Sequence, residues 1–420
     1  MLDVECGLAT VQAKAGLIPT AAAKAIADAT TDFHLPSEAL AEGVASSGVP
    51  VPALVSAFRR RVGPEGADWV HYGATSQDIV DTAMMLCAKR AFWEIAAALG
   101  ACIDRLREES DRHAATPYVA RTRSQMATPI TMGLRYARWA QPLIALENDA
   151  GGLSSDVFRV QLGGASGNLA VMGAAGPDVV AGLADKLGLA PSPAWHTDRS
   201  GVIKLAQWLD RLIAALAKLG GDMLISARSE IQEIRSGAGG GSSTMPHKSN
   251  LVTAEALGSV ELVAHALFSG LVASAVHAEE RDGSNWPVEW LLLPQLFELT
   301  GAALGHAKGL LETTLVDKEA VARRIAAAPA VMAEAAMFQL LGRLGREGAT
   351  AEVKAALQEP IPLAEALLAR GYDDIDWKAA LDPAISLDAS KTAAAAIFST
   401  RTNRLAGVKS LPPEAPDADR

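Results

Sequence analysis

Apolar positions along this chain recur mostly at the spacing of helices. Leu205, Trp208, Leu209, Leu212, Ile213, Leu216 and Leu219 fall three and four residues apart, which puts them on one helical face. The pattern predicts a helix that runs to about Ile234, with Gly220-Gly221 as a weak point costing on the order of 1 kcal/mol per residue against alanine. A longer helical pattern covers 79 to about 116, with Met84, Leu86, Ala91, Ile95, Ala98 and Leu99 as its apolar positions, and another helix follows Pro129. Residues 2–57 read as Ala-rich helices broken at Gly16, Pro19, Pro36 and the Gly48–Pro52 cluster. Val260 to Val276 is the most apolar stretch. Its Glu261, His265, Ser269 and Ser274 make it too polar for a bilayer span, so it reads as a helix buried on nearly all sides. Such a helix needs a large bundle or a subunit interface around it. A break near Asp317 marks a further helical unit, and the chain from about Val408 reads as a frayed tail. No internal repeat and no strand–helix–strand alternation is present in the sequence.

Polar, glycine-rich segments interrupt this helical sequence around 69–78, 161–168 and 236–243. Loops on a rigid scaffold are where chemistry usually sits.

Composition narrows the class. The chain has 420 residues, 50% of them hydrophobic, 20% charged and 5% aromatic. Alanine, the strongest helix former, supplies about a fifth of it. That apolar content offsets ordering entropy and excludes disorder. A formal charge of −10 argues against a nucleic-acid partner. Cys6, Cys87 and Cys102 are few and unpaired in spacing, and read as reduced, mostly buried thiols of a cytoplasmic protein. Asp3 and Glu5 near the start do not fit a signal peptide, and no membrane association is expected. His, Asp and Glu show no ligand spacing, so neither a metal nor another cofactor is expected.

The strongest chemical signal is Gly241-Ser242-Ser243-Thr244-Met245-Pro246-His247-Lys248-Ser249-Asn250. It resembles the GSSxMPxKxN loop of the fumarase/aspartase superfamily. Gly73 to Thr82 is similar to that family's GxTSxDxxDT region, and Arg121 to Pro129 to its GRTHxQxAxP region. The resemblance spans nearly the whole chain. It implies an all-α, three-domain fold whose central long helices form the core of a homotetramer, with active sites shared between subunits. The expected divisions are 1–82, 83–317 with the signature loop at 237–250, and 318–420. Relatives generally begin upstream of Met1, which points to a shortened first domain or a misplaced start.

The family's reactions pass through a carbanion stabilised as an aci-carboxylate, which calls for preorganised cations and donors plus a proton-transferring group. The resemblance makes Ser242 that group, with Ser243 and His196 next in line, and sets Lys248 and Asn250 on the carboxylate. Thr75 and Ser76, at a predicted helix N-terminus, would hold a second carboxylate. His71, Arg121, Arg123, Gln125 and Arg281 complete the expected substrate-binding set. Arg123 stands where many members carry a histidine that serves the leaving group. An arginine cannot release a proton at neutral pH. A leaving group that is itself a carboxylate needs no such proton.

The segments 195–199, 277–281, 286–290, 161–167 and 69–78 also resemble the 3-carboxy-cis,cis-muconate cycloisomerase branch. The resemblance therefore implies a small tricarboxylate substrate closed to 4-carboxymuconolactone, a step in protocatechuate catabolism. Adenylosuccinate- or argininosuccinate-type elimination, and a non-catalytic structural relative, remain as alternatives. Simpler readings stand beside these. Thr75 and Asp78 form an ordinary helix cap, Arg281 joins an exposed run with Glu279 and Glu280, and His71 and His196 are structural. His34, His113, His265 and His306 lie in helical runs and carry no site expectation, and Trp286 and Trp290 read as core or interface.

Overall fold

A computed structural model describes residues 1–236, 240–241, 245 and 249–402. Helices dominate, with three short two-stranded pairings among the described residues. The N-terminal helices are α1 (Leu2–Lys14), α2 (Thr20–Ala29), α3 (Ser37–Ser47) and α4 (Val51–Val62). Val4, Ile18, Ile26, Val51, Phe58 and Val70 form an apolar cluster among them that reaches Ile79.

Five long helices then make a bundle: α5 (Ser76–Arg112), α6 (Met132–Val157), α8 (Ser200–Ser226), α9 (Val252–Ser274) and α10 (Trp286–Thr313), with the shorter α7 (Gly176–Leu187) packed on α1. α5 has 37 residues and so spans about 55 Å at 1.5 Å per residue. It starts three residues earlier than the apolar pattern suggests, at Ser76 rather than 79. The cause is a capping box, in which Thr75 caps the N3 amide and the Asp78 carboxylate accepts from the Thr75 amide at 3.0 Å.

Between α5 and α6 lies a hairpin, β1 (Pro117–Thr122) and β2 (Gln125–Thr131), that the helical pattern did not show. Arg123 and Ser124 form its turn at φ 48° and 66°, the left-handed pair that matches strand twist. Every apolar residue of the 205–219 stripe is buried. The helix nevertheless ends at Ser226, not Ile234. Beyond it the Glu233 amide donates back to the Ser226 carbonyl, and β3 (Ile234–Ser236) pairs with β6 (Thr314–Val316). Gly220 is a contact point rather than a weakness, because a Cβ there would sit 3.0 Å from Leu257 Cδ1 and 3.1 Å from the Ala254 carbonyl of α9. β4 (Gly240–Gly241) pairs with β5 (Ser249–Asn250) just before α9.

α9 departs furthest from expectation. Only one side of it, including Ala254, Leu257, Ala264 and Leu271, is buried, against α8 and α10. Leu262 is 71% exposed and Val263 52%. The helix is also long and apolar enough to cross a membrane by length and composition, contrary to its reading as too polar.

After Asp317, whose carboxylate caps α11 (Lys318–Ala326), come α12 (Ala333–Ala356), α13 (Leu363–Ala369) and α14 (Trp377–Ala380), with their own cluster around Leu340, Val353, Leu367 and Trp377. α15 (Leu387–Ser399) returns to pack on α6, where Arg401 pairs with Glu147. Of the thiols, Cys102 is buried, Cys6 is half-buried and Cys87 is exposed, so burial holds for one of the three.

Candidate active site

The N-terminal end of α5 gathers one group of the sequence-derived residues. Asp78 is fully buried and accepts five hydrogen bonds. Its Oδ2 takes the amides of Thr75 (3.0 Å) and Gly164 (2.9 Å), and its Oδ1 takes the Gly163 amide (2.9 Å), Gln161 Nε2 (3.1 Å) and His196 Nε2 (2.9 Å). One carboxylate thereby locks the glycine-rich segment and the histidine onto the first turn of α5. Gly163 is required by this packing, since a Cβ would lie 2.7 Å from Ala194 Cβ and 2.8 Å from His196 Cε1. Donation from Nε2 to the carboxylate fixes the orientation of the His196 ring.

Beneath His196 lies a buried polar network. Arg199, with its side chain fully buried, donates to both oxygens of Glu289 and to Asp81 Oδ2 (2.8 Å), and its guanidinium lies 4.7 Å from the Trp195 ring centroid. Trp286 Nε1 donates to Asp81 Oδ1 at 2.8 Å. Burial raises the Glu289 pKa above the usual carboxylate value, with Arg199 pulling the other way. His277 is buried beside this network with its Nε2 4.0 Å from Glu289, and its pKa is lowered by burial first and by Arg199 second. Gln77 ties the layers together. Its Nε2 donates to the His196 carbonyl (2.9 Å) and Asp81 (3.2 Å), while its Oε1 accepts from Arg281 Nε (3.0 Å). The Arg281 guanidinium also donates to the Ala165 carbonyl at 3.1 Å, and among the described residues it meets no carboxylate.

His71 has φ 64°, a strained conformation for a residue with a side chain. Its Nδ1 lies 2.7 Å from Oε1 of the buried Glu5, on α1. His71 and Ser76 line a cleft of about 480 Å³ together with Ser56, Arg59 and Arg60 of α4. Thr75 and Ser76 therefore sit at a helix N-terminus, as the cap reading has it, and Ser76 also lines the cleft.

The second group lies at the other end of α5. Arg121 makes a bidentate pair with Glu233 (2.7 and 3.0 Å) and donates to the Tyr118 hydroxyl (3.0 Å), so its guanidinium is already engaged. Arg123 and Gln125 are exposed at the hairpin tip. Tyr118 reaches Ser226 at 3.3 Å, which places the end of α8 beside the hairpin. Asn250 pairs with Gly240 at the foot of α9. Ser242, Ser243 and Lys248 lie outside the described residues.

One chain therefore separates Thr75, Ser76, His71, His196 and Arg281 from Arg121, Arg123, Gln125 and Asn250 by roughly the length of α5, about 55 Å. Sequence reasoning had no separate role for Glu5, Arg59, Arg60 or Glu289. The partners of Glu5 and Glu289 lie 66 and 90 residues away, and Arg59 and Arg60 bond to Val70 and Ser56 close by without forming any motif, so no sequence pattern marks the four. Among the described residues no group of three His, Cys, Asp or Glu side chains is arranged to hold a metal.

A family described as lyase matches residues 8–264. The chain is 37% identical over 357 residues to the 3-carboxy-cis,cis-muconate cycloisomerase of Pseudomonas aeruginosa, covering 83% of this chain and 78% of that one. It is 35% identical over 369 residues to the protein of that name from Bradyrhizobium diazoefficiens, covering 86% and 82%. The crystal structure of the 3-carboxy-cis,cis-muconate lactonizing enzyme from Pseudomonas putida superposes with a TM-score of 0.87 at 32% identity, over 95% of this chain and 93% of that one.

Proposed function

We propose, starting from the fact that the chain belongs to the lyase family of the fumarase/aspartase superfamily, that it is the enzyme closing 3-carboxy-cis,cis-muconate to 4-carboxymuconolactone. One substrate carboxylate adds across the conjugated double bond. The electron pair moves into the neighbouring carboxyl group as an aci-carboxylate, and the adjacent carbon then takes a proton. Lys248 and Asn250 hold the aci-carboxylate, and Ser242 delivers the proton, with Ser243 and His196 as the other groups able to do so. Thr75, Ser76, His71, Gln125, Arg123 and Arg281 serve the remaining carboxylates, and Arg121, paired with Glu233, steadies the hairpin that carries Arg123 and Gln125.

The observation that carries this reading is Arg123 at the hairpin tip. A fixed cation there steadies an anionic substrate, whereas an elimination needing a protonated leaving group would call for an acid.

The two groups of site residues, about 55 Å apart in one chain, meet only if different subunits supply them. A homotetramer built on α9 does this and covers the exposed face of Leu262 and Val263. The same reading makes the enzyme cytoplasmic, with no cofactor and no membrane or nucleic-acid partner. It divides the chain at 1–82, 83–317 and 318–420, in keeping with the separate apolar clusters around Ile26 and Leu340, while α15 folds back onto the central unit.

The test is loss of the diene's ultraviolet absorbance on mixing the protein with 3-carboxy-cis,cis-muconate, with adenylosuccinate in parallel. Absence of turnover with the muconate, but fumarate released from adenylosuccinate, overturns the proposal. Ser242→Ala is expected to lower kcat by at least about 10³-fold with the oligomer intact. Full activity in that variant moves proton transfer to Ser243 or His196.

A further inference from the structure

The cleft between α4 and the first turn of α5 carries more positive charge than its assigned residues account for. On one side it presents His71 and Ser76, and on the other Ser56, Arg59 and Arg60. Arg59 and Arg60 differ in what they already do. Arg59 donates to the Val70 carbonyl at 2.9 Å and so fastens α4 to the segment that carries His71. Arg60 donates through Nη1 to Ser56 Oγ at 3.0 Å, one turn back on its own helix. Among the described residues neither guanidinium has a carboxylate partner, although twelve other arginines do.

The surroundings favour an anion. The first-turn amides of a 37-residue helix open at Ser76, and the macrodipole adds to their field. Two acids on the neighbouring elements are engaged elsewhere. Glu5 is buried against His71, and Asp78 accepts from five donors on the inner side of the helix end. The strained His71 backbone holds the ring, through Glu5, at the cleft wall. Meanwhile Arg121, counted among the cations for the substrate, is taken by Glu233. A further cation would replace the one that Arg121 does not supply.

We propose that this cleft is a carboxylate subsite. In it Arg60, with Arg59 beside it, binds one carboxylate of the substrate opposite Ser76 and His71. This rests on the reading of the substrate as a tricarboxylate. Arg60 is exposed, so its guanidinium is free to swing from Ser56 onto the ligand without disturbing the core. An arginine–carboxylate contact far from the reacting carbon stabilises ground and transition states alike, so it acts on KM rather than on kcat.

The experiment compares wild type, Arg60→Ala, Arg60→Lys and Arg61→Ala. Arg61 lies next in sequence but does not line the cleft, and removes the same charge. With 3-carboxy-cis,cis-muconate, Arg60→Ala should raise KM roughly 10- to 100-fold with kcat within about 3-fold, and Arg60→Lys should recover part of the loss. Arg61→Ala should leave KM within about 2-fold of wild type. Unchanged KM in Arg60→Ala, or an equal rise in Arg61→Ala, overturns the subsite while leaving the proposed reaction in place. Calorimetric binding of tricarballylate, an unreactive tricarboxylate, separates the two claims. If the wild type does not turn over the muconate, the proposed reaction fails. The subsite then stands on weaker tricarballylate binding by Arg60→Ala than by Arg61→Ala, and falls if the two bind alike.

Discussion

Arg199 shows how much one side chain can organise. It is fully buried, yet it joins Asp81 on α5 to Glu289 on α10 and supports the loop that carries His196. A buried ion cluster is weak evidence for stability in itself, because desolvation offsets the attraction. Removing one member is a different matter, since it leaves unpaired charge in the interior. Arg199→Met should destabilise the protein by about 3–5 kcal/mol, read as a lower urea midpoint. A change below about 1 kcal/mol would mean that Asp81 and Glu289 find other partners. The sequence flagged Asp198 and Arg199 only as part of a resemblance, because the partners of Arg199 lie 118 and 90 residues away.

At the scale of elements, α5 sets the geometry of the site. Its N-terminus was legible, because Thr75 and Asp78 stand at the spacing of a capping box. Its C-terminus was placed several residues too late, at about 116. The chain leaves the helix at His113 to enter β1, and the Gly133 amide donates to the His113 carbonyl at 3.0 Å. His113 is held neutral there. Burial above all, with Lys318 and Arg112 adding to it, pushes its pKa down to about 4.

The unfolded chain, with an ordinary histidine value near 6.5, takes up the proton first as pH falls. Stability from this group is therefore complete above about pH 6.5 and is lost between that value and about 4. The urea midpoint of wild type should drop between pH 7 and pH 5 by more than that of His113→Asn. Parallel curves for the two proteins would rule out His113 as the source. The hairpin after α5 escaped the pattern for a physical reason. Its two strands are short, buried at the base and exposed toward the tip rather than alternately along their length, so neither a period of two nor one of 3.6 develops.

At the scale of the molecule, the open face of α9 is the main unfinished business of a single chain. Leu262, Val263 and Val272 are more than a third exposed on a helix whose opposite side packs against α8 and α10. If other subunits cover that face, Leu262→Glu introduces buried charges into the assembly. We expect light scattering to report a species smaller than the wild-type assembly, with activity reduced by at least about 100-fold because the proposed meeting of the two ends of α5 across subunits is lost. A variant that keeps the wild-type size and activity would place the interface elsewhere.

The sequence by itself determined the helices, the start of α5, the three polar interruptions and the family. Those features are local, set by periodicity, capping and short motifs within a few turns of chain. Tertiary structure alone decided which of the candidates meet. It set His196 on Asp78, closed Glu233 onto Arg121, stood Arg59 and Arg60 over Ser76, and left one side of α9 bare. Each of these depends on residues tens to hundreds of positions apart being brought within hydrogen-bond range or left uncovered. Packing of long helices imposes such relations, and no stretch of sequence encodes them alone.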